Sequence, residues 1–147
     1  MNTTIELRKN EIKNEIKNEV KNLFNQFGEL VENIVSVCPD WKFVNVQDSH
    51  NQIKVKFALT CDENRELTVV YNECKCGFHG NVEFATEIDA ASSIDIDSTN
   101  SKAKYYIALG VFLSNKDLQD KLQSEMKNFL HNIEIKYNEY NKLDQED

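Results

Sequence analysis

The residues best equipped for chemistry fall in one short stretch. Cys74-Lys75-Cys76-Gly77 is followed at once by His79, and thiolates and imidazoles are the donors that zinc prefers. The strand pairing argued below carries His50 to the same end of a sheet. His50, Cys74, Cys76 and His79 are therefore the candidate metal ligands, and zinc is the one candidate cofactor. Cys61 is left out, because about eight residues of extended chain, on the order of 25 Å, separate it from Cys74. Cys-x-Cys is a less usual zinc spacing than Cys-x2-Cys, so turn thiols without metal are the plainer reading. As a nucleophile with its base, the same Cys and His residues lack a recognisable orienting group or oxyanion loop.

Other catalytic signatures are missing. Asp95-Ile96-Asp97-Ser98-Thr99 has the Asp-x-Asp-x-Thr order of phosphotransferases that use an aspartate nucleophile, but Ala-Ala-Ser-Ser stands where their apolar strand is needed. Asp95 and Asp97 alone make a weak magnesium pair. No glycine-rich phosphate loop, dinucleotide fingerprint or nucleophile elbow occurs. His131 reads as a flank or core histidine of a helix. The expectation is a binding protein, not an enzyme.

The elements that would position these residues are legible from periodicity. Ile53, Val55, Phe57 and Leu59 alternate with Gln52, Lys54, Lys56 and Ala58, and the beat returns at Leu67, Val69, Tyr71 and at Val82, Phe84. Period two marks strands with one dry and one wet face. If Asp62-Glu63-Asn64 is a three-residue turn with Asn64 left-handed, Leu59 pairs with Leu67, Phe57 with Val69 and Val55 with Tyr71. A Cys74–Gly77 turn then pairs Tyr71 with Gly80, Val69 with Val82 and Leu67 with Phe84. Both hairpins put the same side chains inside.

Helices flank these strands. Ile16, Val20, Leu23, Phe27, Leu30, Ile34 and Val37 follow a 4-3 spacing, the seam of a helix packed along its length. Upstream, the tetrads Glu11-Ile12-Lys13-Asn14, Glu15-Ile16-Lys17-Asn18 and Glu19-Val20-Lys21-Asn22 set a Glu ridge and a Lys ridge on either side of an apolar one. Their i,i+4 neighbours are like-charged, which disfavours an isolated helix and suits one with a helix alongside. Gly28 marks a bend or a close approach. A second seam runs Leu118, Leu122, Met126, Phe129, Ile133, Tyr137, Tyr140, with Ser114 as its cap.

The chain thus reads as one α+β domain over 1–147. A helix spans 3–37, strands lie at about 41–47, 52–61, 65–73, 78–88 and 104–113, and a helix spans 115–142. The sheet is a four- to five-stranded antiparallel meander with both long helices on one face. Residues 89–101 are expected as a long acidic loop, and 104–113, a nearly continuous apolar run, as a buried fifth strand.

Composition sets the functional class. The net charge of −8 over 147 residues is spread along the chain, and no basic patch exists to displace counterions from nucleic acid. No apolar run reaches the roughly 20 residues of a membrane span, and no apolar signal-peptide centre opens the chain. A cytoplasmic location with reduced cysteines follows as the expectation. The function expected is a small acidic protein-binding module of bacterial or phage type, an inhibitor, immunity, anti-defence or chaperone-type protein that docks to a partner protein. Its contact residues would be Glu87, Asp89, Asp95 and Asp97 of the acidic loop, and Lys54, Lys56, Asn81 and Glu83 of the open sheet face. The alternative is a small-molecule binder, for a nucleotide signal or metabolite, with a pocket between sheet and helices. The protein is expected as a monomer or as a homodimer through its N-terminal helix.

Overall fold

The structure, a computed structural model, describes residues 2–38, 40–49, 51–74, 79–97 and 107–146. Its elements are α1 (Asn2–Val35), β1 (Trp41–Ser49), β2 (Gln52–Leu59), β3 (Asp62–Glu73), β4 (His79–Ala85), β5 (Ala90–Asp97), α2 (Ile107–Ser114) and α3 (Lys116–Glu146). The five strands form one antiparallel sheet in the order β1-β2-β3-β4-β5, a meander in which every neighbour in sequence is a neighbour in space. The protein is an α+β fold with long terminal helices.

Alternation decides which way the sheet faces. Ile53, Val55, Phe57, Leu67, Val69, Tyr71, Val82 and Phe84 are all buried and share one core with Phe24, Phe27, Val31 and Ile34 of α1 and Leu122, Met126, Phe129 and Ile133 of α3. Both long helices therefore lie on the same side of the sheet, and among the described residues the other side carries no helix. Aromatic rings knit the layers together. Phe27 meets Tyr71 at 5.7 Å and Phe112 at 6.0 Å between centroids, and Phe84 meets Phe129 edge-on at 4.8 Å. Gly28 marks a close approach, not a break. A Cβ there would lie 3.1 Å from a Val46 methyl, so its absence lets α1 settle onto β1.

Pairing differs from the expected register by two residues in each hairpin. Phe57 pairs with Leu67, Val55 with Val69 and Ile53 with Tyr71, while Tyr71 pairs with Val82 and Val69 with Phe84. A slip of two keeps every side chain on its face, so periodicity cannot detect it. In the first hairpin its origin is a tighter turn combined with a bulge between Ala58 and Leu59, which skips from Asp62 to Glu66 on the partner strand. Leu59 faces Asp62, so the chain reverses at Thr60-Cys61, and Asp62-Glu63-Asn64 belongs to β3. Asn64 is not left-handed; among the described non-glycine residues only Asn51, in the β1–β2 turn, has positive φ, at 62°.

Two further expectations are corrected. Residues 90–97 are not a loop but strand β5, paired along β4. Residues 107–114 are helix α2, not a strand, whereas 104–106 lie outside the described residues. A short apolar run is equally consistent with a buried strand or a buried helix. Here the run is packed by α1, α3, β4 and β5, and a helix apolar all round suits such a slot. The cap of α3 also moves by one residue. The Asn115 side chain accepts from the Leu118 N–H at 3.2 Å, while the Ser114 hydroxyl donates back to the Val111 carbonyl.

Candidate functional site

The helix-free face of the sheet is built from the outward residues of all five strands. Asn45, Gln47 and Ser49 of β1 stand opposite Lys56, Lys54 and Gln52 of β2. Thr68, Val70 and Asn72 of β3 oppose Lys56, Lys54 and Gln52 on the other side. Asn81 and Glu83 of β4 oppose Asn72 and Val70, and Asp95 of β5 closes the row beside Asn81.

One row is a hydrogen-bonded ladder. The Gln52 amide donates to Asn72 Oδ1 at 2.7 Å, the Asn72 amide to Asn81 Oδ1 at 3.1 Å, and the Asn81 amide to Glu83 Oε1 at 3.3 Å. Asn72 and Asn81 each act as donor and acceptor in turn, which fixes rotamers that would otherwise cost entropy to order on binding. The charges are sorted across the face. Lys42, Lys54 and Lys56 sit on the β1–β2 side, Glu83 and Asp95 on the β4–β5 side. None of the three lysines makes an ion pair among the described residues. The sheet therefore brings together Lys54, Lys56, Asn81, Glu83 and Asp95 on one face. Asp97 ends β5 opposite His79.

Glu87 and Asp89 do something different from the open-loop role expected of them. Glu87 accepts from the Tyr137 hydroxyl at 2.7 Å and from Arg65 at 3.4 Å, and Lys136 reaches Asp89 at 2.6 Å. Arg65 also bonds Asp62 at 3.2 Å and lies over the Tyr137 ring, 4.0 Å from its centroid. Burial pushes the Tyr137 hydroxyl pKa up, and the Glu87 carboxylate adds to it. The amino group of Lys136, followed by the Ala90 N–H, pulls the Asp89 carboxyl below its usual range. These two acids latch α3 to the β4–β5 turn.

Of the candidate metal set, His50 and Cys76 lie outside the described residues. Cys74 and His79 are neighbours across the β3–β4 connection, joined by the Cys74 N–H to the His79 carbonyl at 2.8 Å, and both are exposed. Gln52 pairs with Asn72, not with Cys74. Among the described residues no group of three or more His, Cys, Asp or Glu side chains is placed to hold a metal.

Sequence reasoning missed one feature and gave another, a pocket between sheet and helices, without its residues. The first is Glu73, a buried carboxylate on the dry face of β3, 8% exposed. Its Oε1 accepts from the Tyr71 hydroxyl at 3.0 Å and from the Leu109 N–H of α2 at 3.2 Å. Desolvation raises its pKa, and the Leu109, Tyr71 and Ala108 donors oppose the rise. Glu73 thus acts as a cap, supplied by the sheet, for the first turn of α2. Its inward position in the alternation 67-69-71-73 was the available signal.

The second is a cleft of about 690 Å³ between α3 and the β1–β2–β3 end of the sheet, lined by Cys38, Trp41, Cys61, Arg65, Lys127 and His131 among others. Burial pushes the Cys38 thiol up, against the pull of Lys127, which keeps it protonated and weakly nucleophilic. No hydrogen bond joins Cys38 or Cys61 to His131 among the described residues. Apolar and polar side chains line the cleft together.

No family model, curated protein or solved structure matches this chain. Among the described residues no helix is long and apolar enough to cross a membrane.

Proposed function

We propose that the protein is a docking module that binds a partner protein on the helix-free face of its sheet. The observation that carries the reading is the charge sorting of the helix-free face, where Lys42, Lys54 and Lys56, which make no ion pair among the described residues, stand on one side and Glu83 and Asp95 on the other, in a protein whose net charge is −8. A face that sets lysines on one side and Glu83 and Asp95 on the other favours a partner that presents carboxylates to the first and a basic group to the second. Rows of amides fixed by mutual hydrogen bonds lower the ordering cost of such an interface. An inhibitor, immunity or chaperone-type protein would work in this way, by occupying a surface and catalysing nothing.

The test is a charge reversal. Lys54→Glu with Lys56→Glu should abolish stoichiometric capture of a partner from the native host while leaving the circular dichroism spectrum unchanged. A partner retained equally by the double variant would mean that this face is not the interface.

A second reading is favoured by the cleft beside α3, whose volume lies within the roughly 300–1,000 Å³ usual for small-ligand pockets. There the protein would bind a small molecule between sheet and helix. A metabolite and nucleotide panel that raises the melting temperature of the native chain, but not that of Lys127→Glu, would support it.

A further inference from the structure

The N-terminal half of α1 stands outside the body of the protein. From Thr3 to Glu15 every described side chain is exposed, Ile16 and Val20 are half-buried, and full burial begins at Phe24. Ile5 and Ile12 are 58% and 40% exposed. On a helix of 3.6 residues per turn, Ile5, Ile12, Ile16 and Val20 fall within about 80° of one another. Leu23, Phe27, Leu30 and Ile34 continue the same stripe into the core. One apolar stripe, interrupted by Lys9, thus runs the length of α1, covered by the sheet at one end and by no described residue at the other.

The segment is poorly made to stand alone. Asn10, Asn14, Asn18 and Asn22 are weak helix formers, and the like-charged Glu11, Glu15, Glu19 and Lys13, Lys17, Lys21 series repel along their own ridges. Its charge nevertheless suits self-association. Arg8, Lys9, Lys13, Lys17 and Lys21 against Glu6, Glu11, Glu15 and Glu19 leave it at +1, so the remainder of the chain carries −9 of the total of −8. Two such segments can meet without the repulsion that two bodies would feel.

We propose that the protein is a homodimer in which the projecting halves of α1 pair antiparallel, centred near Ile12. Direction follows from the continuity of the stripe. Below Val20 the pairing face is the face that lies on the sheet, so a parallel copy would run into that layer. An antiparallel copy ends beside it. In this register Ile12 meets its own counterpart, and Ile5 of one copy enters between Ile16 and Val20 of the other.

The flanks agree with this direction. Arg8 and Glu15 share one flank, as their 3.7 Å approach within one chain shows, and Glu6 and Lys17 share the other. An antiparallel two-fold joins like flanks in reversed order, so Arg8 meets Glu15 and Glu6 meets Lys17 across the pair. Like charges meet among Lys9, Lys13 and Lys17 of the two copies.

Sedimentation equilibrium on the full chain at micromolar concentration should give twice the chain mass, and Ile12→Glu should give a monomer with unchanged Trp41 fluorescence. Asn14→Glu, on the opposite side of the helix, should remain dimeric. Small-angle scattering of the native dimer should show two separated lobes. A monomeric native chain, a dimer that survives Ile12→Glu, or a single compact lobe would each overturn the proposal.

Discussion

Glu73 carries the most consequence of any single side chain. Its carboxylate is buried, and in the folded protein desolvation raises its pKa above the unfolded value. The native state therefore binds the proton more tightly than the unfolded chain, and stability attributable to this group falls as pH rises through the raised pKa. Glu73→Gln should flatten that slope while keeping an oxygen for the Leu109 N–H and the Tyr71 hydroxyl. Urea denaturation at several pH values will read the difference. Glu73→Ala should cost about 3 kcal/mol at low pH and less above the raised pKa, because it removes the side-chain acceptor of the buried Leu109 N–H. Gly80 belongs to the same cluster. A Cβ there would come within 3.0 Å of the Tyr71 ring and closer still to its hydroxyl, so Gly80→Ala should destabilise by about 1–3 kcal/mol. Tyr71→Phe removes the nearest atom and should recover part of that loss in thermal melts of the double variant.

At the scale of elements, the informative pieces are α3 and its latch. Arg65 is mostly covered, 17% exposed, and it spans Asp62, Glu87 and the Tyr137 ring at once. Losing it removes an ion-pair network and a cation–π contact, so Arg65→Ala should lower stability by about 1–2 kcal/mol. Arg65→Lys should restore little, because an ammonium cannot bridge the two carboxylates and stack together. Hydrogen exchange should show the effect concentrated at the C-terminal end of α3. Two elements illustrate where pattern stops being decisive. Ala-Ala-Ser-Ser-Ile-Asp-Ile-Asp has weak strand character, yet it pairs along β4, whose second edge would otherwise be unpaired. The run Ile107–Ser114 has no period, and its helical state depends on the slot between α1, α3 and the sheet and on the Glu73 cap.

For the whole molecule, the division between a packed body and a projecting half-helix predicts uneven protection. In the Ile12→Glu variant, amides of Thr3–Glu15 should exchange fastest and those of β2, β3 and Phe24–Val35 slowest. Uniform protection along α1 in that variant would contradict the division. The chain alone determined the α+β class, the dry faces of β2, β3 and β4, the two long helices and the polar character of the outer face. Periods of 2 and 3.6 are local properties that survive in any register. Tertiary structure alone decided the two-residue slip of both hairpins, the strand at 90–97, the helix at 107–114, the engagement of Glu87 and Asp89 with α3, and the burial of Glu73. Each of these depends on which distant groups need hydrogen-bond partners or cover, and such needs arise only once the layers meet.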